Sequence, residues 1–133
     1  MADYTHRTVS QKLGIRSGMR AIFINEPSGF KKVLGVLPNN VQILKRLAND
    51  MDFIHFFATT RTDVNQYFPL LKEKLKKSGQ LWISWPKGKT QPTDLKENII
   101  RELGLEHGLV DVKVIAIDDV WSGLKFIFRF HDR

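Results

Sequence analysis

Along this chain, runs of apolar residues alternate with stretches in which apolar residues recur every three or four positions, so strands and helices are predicted in turn. After Gly18, residues 19–25 (Met-Arg-Ala-Ile-Phe-Ile-Asn) form a β-rich run that stops in the turn chemistry of Glu26-Pro27-Ser28-Gly29. Phe30, Val33, Leu34 and Leu37 then fall at helical spacing, with Ser28 placed to cap a short helix that stops near Gly35. A second run covers 41–47, and residues 53–59 (Phe-Ile-His-Phe-Phe-Ala-Thr in part) are almost continuously apolar, the pattern of a strand buried on both faces. Asp63 and Gln66 resemble a capping box for a helix whose stripe is Val64, Tyr67 or Phe68, Leu71 and Leu75, with Gly79 at its end and Pro69 as a kink or first-turn residue. A strand at 80–86 stops at its proline. Thr93 or Asp94 then caps a helix with Leu95, Ile99, Ile100 and Leu103 inward and Gly104 at its end. Strands near 110–117 and 123–130 close the chain, joined by the loop from Asp118 to Gly123.

Strand and helix in alternation, followed by two strands on a short loop, predict an α/β fold with a parallel sheet and an antiparallel last strand. Right-handed crossovers put the loops that follow the parallel strands at one edge. Asn25 to Gly29, Thr59 to Arg61, Trp85 to Lys87 and Asp118 to Ser122 should therefore converge. Residues 1–12 lack apolar periodicity and read as a flexible N-terminal arm closing in a helical turn at Ser10–Leu13, leaving 13–133 as a single Rossmann-like domain.

Composition narrows the chemistry. The 133 residues carry no cysteine, which removes disulfides, thiolate nucleophiles, zinc fingers and iron–sulfur ligation and fits a cytoplasmic location. No apolar run approaches a membrane span, and Met1-Ala2-Asp3-Tyr4-Thr5-His6 lacks a signal-peptide layout. The net charge of +7 is uneven: Tyr67 to Pro92 holds six lysines against Glu73, whereas Thr93 to Arg133 holds six basic residues against eight acidic ones. Such asymmetry suits an anionic partner, although the lysines at 72–77 also fit the solvated face of a helix. Tyr67, Phe68, Trp82 and Trp85 interleave the basic stretch, so a nucleic-acid-binding module is one alternative, but no helix–turn–helix or KH-type loop is visible.

Several residues at the expected edge carry chemistry. Trp85 and Lys87 offer an indole and an ammonium for a flat, phosphorylated ring, and Trp121 and Ser122 would close the same crevice. Asp118 and Asp119 offer an acid pair for a hard cation or a capping turn. Asp111 and Lys113, two apart on a strand, should share a face. His55 reads as a hydrogen-bonded core residue, and no histidine stands at metal or triad spacing.

The order of elements resembles the class I methyltransferase fold, with Leu13-Gly14-Ile15-Arg16-Ser17-Gly18-Met19-Arg20 as its lead-in and the last two strands as its closing hairpin. Leu13-Gly14-Ile15, Pro27 with Gly29-Phe30, Trp85-Pro86-Lys87, Pro92-Thr93-Asp94-Leu95, Gly108-Leu109-Val110-Asp111-Val112-Lys113-Val114 and Trp121-Ser122-Gly123-Leu124 are similar to a family of small uncharacterised bacterial proteins with that core. The resemblance implies a Rossmann-like three-layer sandwich, a truncated class I methyltransferase with six strands in the order 2-1-3-4-6-5 and the last strand antiparallel. It departs at the cofactor positions. The turn after strand one has one glycine, Lys45-Arg46 stands where an acid would hold a ribose, and Ala58-Thr59-Thr60-Arg61 replaces an Asp/Asn-Pro-Pro-aromatic loop. No cofactor is therefore predicted, and S-adenosylmethionine is not expected. The function expected is binding of a small anionic ligand or a protein partner without conventional catalysis; a divergent S-adenosylmethionine-dependent methyltransferase or other transferase is the alternative. The candidate ligand-binding residues are Asn25, Glu26, Ser28, Gly29, Thr59, Thr60, Arg61, Trp85, Lys87, Thr93, Asp118, Trp121 and Ser122; no catalytic residue and no metal site is assigned.

Overall fold

A computed structural model describes residues 7–133. Its elements are α1 (Val9–Leu13), β1 (Arg20–Ile24), α2 (Phe30–Leu34), β2 (Gln42–Leu44), β3 (Met51–Phe57), α3 (Arg61–Lys74), β4 (Leu75–Pro86), α4 (Glu97–Glu106), β5 (Leu109–Ala116), β6 (Trp121–Phe128) and a 3-10 turn (Phe130–Asp132). The strands form one sheet in the order β2-β1-β3-β4-β6-β5. The first four are parallel, and β6 runs antiparallel between β4 and β5. The expected strand order and the antiparallel last strand are both observed.

β3 accounts for the layering. Its residues are almost all buried and alternate between two cores. Ile54 and Phe56 face α3 and α4 with Val64, Phe68, Leu71, Ile100 and Phe126. Phe53 and Phe57 face α1 and α2 with Leu13, Phe30, Leu34 and Trp82. A strand buried on both sides cannot show a polar alternation, which is why it reads as one apolar run.

Most boundary differences are capping differences. Gly29, in the left-handed conformation (φ 81°), opens α2 with no side-chain cap, so Ser28 does not cap it. Thr60, not Asp63, caps α3 by accepting from the Asp63 amide at 3.1 Å, and the helix runs through Pro69 to Lys74. Burial of Val64, Phe68 and Leu71 holds this helix against the cost of its internal proline. Lys76 and Lys77 consequently lie in β4 rather than on the helix expected to reach Gly79. α4 begins only at Glu97 and runs past Gly104, which is not its cap; a Cβ at Gly104 would lie 2.0 Å from the Phe126 ring. The turn expected at Ser10–Leu13 forms α1 with a Thr8–Gln11 capping box, while residues 1–6 of the arm lie outside the described residues. No helix is long and apolar enough to cross a membrane among the described residues.

Candidate functional site

The sheet reverses winding direction between β1 and β3. The β1 crossover leads through α2 on one face to β2, and the β3 crossover leads through α3 on the other face to β4. A crevice opens where the two crossovers part, outside the carboxyl ends of the strands. Its first wall is the turn Asn25 to Gly29. Asn25 adopts a left-handed φ of 59°, Glu26 is exposed, and a Cβ built on Gly29 would meet nothing within 4 Å. Ser28 is exposed on the same turn.

The second wall is a turn tied down from within. Ala58 donates its amide to the Ser84 carbonyl at 2.9 Å, and the Thr93 hydroxyl donates to the Thr59 carbonyl at 2.6 Å. The Arg61 amide donates to the Asp94 carboxylate at 2.8 Å. Thr60 and Thr93 are thus committed to shaping the turn. Farther along the edge the Lys87 amide donates to the Val120 carbonyl at 2.7 Å. The Asp118 carboxylate accepts from the amides of Val120 and Trp121 at 2.9 and 2.8 Å. Asp118 therefore closes its own loop, and among the described residues no cluster of three or more acidic or histidine groups could hold a metal.

Two pockets of about 390 and about 370 Å³ flank this edge. The first is lined by Ile24, Asn25, Glu26, Lys45, Leu47, Tyr67 and Leu70, between the ends of β1 and β2 and the flank of α3. The second brings together Trp85, Lys87, Thr93 and Ser122 with Lys96 and Glu97. Trp121 does not join it. Register pairs Trp85 with Ser122 and Pro86 with Trp121, so the two indoles face opposite sides of the sheet: Trp85 joins the α3/α4 core, whereas Trp121 packs edge-on against Phe57 at 5.2 Å in the α1/α2 core. The expectation that both close one crevice fails for that reason, and Trp85 itself is only 5% exposed.

Lys45, Leu47 and Tyr67 line the first pocket without having been candidates. Tyr67 and Phe68 were interchangeable on the helical stripe, yet neighbours on a helix point about 100° apart, so only one can enter the core. Phe68 does, and Tyr67 is 40% exposed. His55 is buried, with Nε2 at 2.6 Å from the Ser84 hydroxyl and its ring stacked on Phe57. Burial lowers its pKa from 6.5 to about 3. Asp111 and Lys113 do not share a face, because β5 carries a bulge between them: Asp111 bonds Arg101 of α4 at 2.8 Å, while Lys113 reaches the Lys12 carbonyl of α1 at 2.9 Å.

No protein-family model and no curated protein matches this chain. Solved structures do. An S-adenosylmethionine-dependent methyltransferase from Aquifex aeolicus superposes with a TM-score of 0.63 at 17% identity, over 89% of this chain and 86% of the other. Aeropyrum pernix fibrillarin, solved with natively bound S-adenosylmethionine, gives 0.60 at 11% identity over 90% and 73%. The DhpI complex with S-adenosylhomocysteine gives 0.63 at 8% identity over 90% and 81%. The fold is that of the class I methyltransferases. These neighbours overturn the expectation that S-adenosylmethionine is not to be looked for here, which rested on glycine and acid motifs alone.

The residues at the crevice fit an adenosyl group with a charged tail. The turn has one glycine, left-handed and unobstructed, which lines neither described pocket but ends the turn that carries Asn25 and Glu26 into the first. The acid missing from the end of β2 is present on the adjacent turn as Glu26. Ile24, Leu47 and Tyr67 supply the apolar wall that a nucleobase needs beside a few polar groups.

Proposed function

We propose that this chain binds S-adenosylmethionine across the carboxyl ends of β1 and β2 and acts as a divergent methyltransferase. The observation that carries this reading is the pocket of about 390 Å³ that joins Asn25 and Glu26 to Lys45, Leu47 and Tyr67 at the winding reversal of the sheet. When bound, the cofactor supplies a methyl group on a positively charged sulfur. Glu26 would accept hydrogen bonds from the ribose hydroxyls or the cofactor ammonium. Lys45 would donate to ribose oxygens from the position where relatives of this fold place an acid, and Tyr67 would shield the nucleobase from water.

The neighbouring pocket of Trp85, Lys87, Thr93 and Ser122 is the proposed acceptor site. It lies two strands from β1, or about 10 Å at ordinary strand spacing. Lys87 and Lys96 favour a small anionic acceptor there. His55 lines neither pocket and is held by Ser84 within the core, so it is not the base for the acceptor. The reading of ligand binding without catalysis has less support, since the solved structures that share this fold include S-adenosylmethionine-dependent methyltransferases.

Calorimetry with S-adenosylmethionine and S-adenosylhomocysteine tests the cofactor, alongside thermal melts of wild type, Glu26→Gln and Tyr67→Ala. A ligand at 100 times its Kd stabilises by about 2.7 kcal/mol, or roughly 8–12 °C for a domain of this size. Both substitutions should shrink that shift. No shift with either ligand at millimolar concentration refutes the proposal.

A further inference from the structure

The bulge in β5 has a consequence on the face away from α4. In a regular strand Lys113 would follow Asp111 toward α4, where Arg101 already holds that carboxylate. Because Val112 is extra, Lys113 instead stands directly across from Lys125 of β6, on the face occupied by α1. Directly opposed like charges on an antiparallel pair are destabilising. Here a third basic group, Arg16, acts on Lys125 as well. The Lys113 ammonium donates to the Lys12 carbonyl at the end of α1 at 2.9 Å. The Lys125 ammonium lies 3.9 Å from a Cβ built on Gly14, which places it against the α1 cap, and Arg16 follows two residues later.

Lys125 is partly buried and makes no ion pair among the described residues. Desolvation, then the charges of Lys113 and Arg16, hold its ammonium below the usual lysine range. Gln80, which shares the Gly14 contact, is occupied: its amide donates to the Gly14 carbonyl at 3.0 Å and its oxygen accepts from the Trp82 indole at 3.2 Å. Among the described residues no carboxylate is ion-paired with Lys113 or Lys125, although carboxylates pair with Lys76 and Arg101 elsewhere. Lys113 and Lys125 are fixed by two paired strands rather than carried on a mobile loop. An isolated surface lysine turns to solvent at little cost, whereas a partly buried one facing a second lysine has no such escape.

We propose that Lys113, Lys125 and Arg16 form a second binding site, on the α1 face of β5 and β6, for a multiply charged phosphate group. The chemistry selects phosphate over carboxylate, because several cations at fixed spacing match an anion that spreads two or more charges over several oxygens. The site is separate from the crevice: Lys125 lies four residues along β6 from the carboxyl edge, about 13 Å at strand rise. Free oligophosphates and the backbone of a nucleic acid present the same group, so the ligand source is decided by experiment.

The test uses the full chain, with tripolyphosphate in calorimetry and a labelled single-stranded RNA in fluorescence anisotropy over a salt series. The variants are Lys113→Gln, Lys125→Met and, as a control for charge alone, Lys32→Gln on the exposed side of α2. Each cluster variant should weaken the ligand about tenfold or more while the control changes it little. Both cluster variants should also melt at or above the wild-type temperature, because a like-charge contact has been removed; a merely structural lysine would lower it. Loss confined to tripolyphosphate identifies a small ligand. Loss for RNA, with the salt slope reduced by about one per lysine, identifies the polymer. Equal affinity in wild type and both cluster variants overturns the proposal, as does binding of polyglutamate in place of either phosphate ligand.

Discussion

Lowering the pH from about 7 to about 4.5 should destabilise the protein through one side chain, His55. In the folded state the imidazole is sealed between Phe53, Phe57, Phe30 and Trp82, and its pKa lies near 3. In the unfolded chain it returns to about 6.5. Below that value the unfolded state binds a proton that the folded state refuses, so stability falls as pH falls from about 6.5 toward about 3. The whole difference is of order 5 kcal/mol, of which roughly 2–3 kcal/mol is lost by about pH 4.5. Carboxylates titrate in the same range, so the measurement is a difference. Urea unfolding is followed at several pH values for wild type and for His55→Gln, which keeps a hydrogen-bonding group for Ser84 and has no proton to gain. The variant should be less stable at neutral pH but lose less on acidification, with the two curves separating by about one proton. Parallel curves would mean that the imidazole is hydrated in the folded protein, and the reasoning from burial would be wrong.

Three other changes have signs that follow from packing. Gly104→Ala should lower stability by about 1–3 kcal/mol in urea melts, although alanine is the better helix former, because the new methyl would run into the buried Phe126 ring. Pro69→Ala should raise the melting temperature, since it restores an amide donor in the middle of α3 at an exposed position. Thr93→Val should cost about 1–2 kcal/mol and speed hydrogen exchange at the Leu95 amide, because the Thr93 hydroxyl both donates to Thr59 and accepts from Leu95.

Sequence patterning carries the layer order because β3, β4 and β6 are buried deeply enough for their apolar runs to stand out. It carries the end of α3 poorly. Leu75 keeps the helical stripe going, but its Cα partner is Met51 of β3, and pairing with the neighbouring strand wins over local periodicity. The face of Lys113 was hidden for a related reason: a single extra residue reverses every later side chain of the strand, and Val112 looks like any other strand valine. At the crevice, the turns that converge could be anticipated from topology, and Trp85, Lys87, Thr93 and Ser122 do share a pocket. What could not be read was which of Tyr67 and Phe68 faces inward, or that an isolated glycine adopts the open left-handed form a ligand can approach. Motif spacing tests for a familiar phosphate or ribose grip, and this site builds its surface from residues on separate turns.

The position of β6 also sets an order of assembly during synthesis. β4 is the longest strand, and one of its edges is covered only by β6, the last strand to be made. Until residue 128 has left the ribosome, the Leu81-Trp82-Ile83 segment offers unpaired backbone groups flanked by apolar side chains, the kind of edge on which strands from other chains add. A nascent chain paused in the loop from Asp118 to Val120 would hold that edge open, and release of the final strand would close it by zipping the hairpin into place. Truncation just before Trp121 should therefore yield aggregates rather than a smaller soluble domain, even though all four α-helices would be intact in sequence.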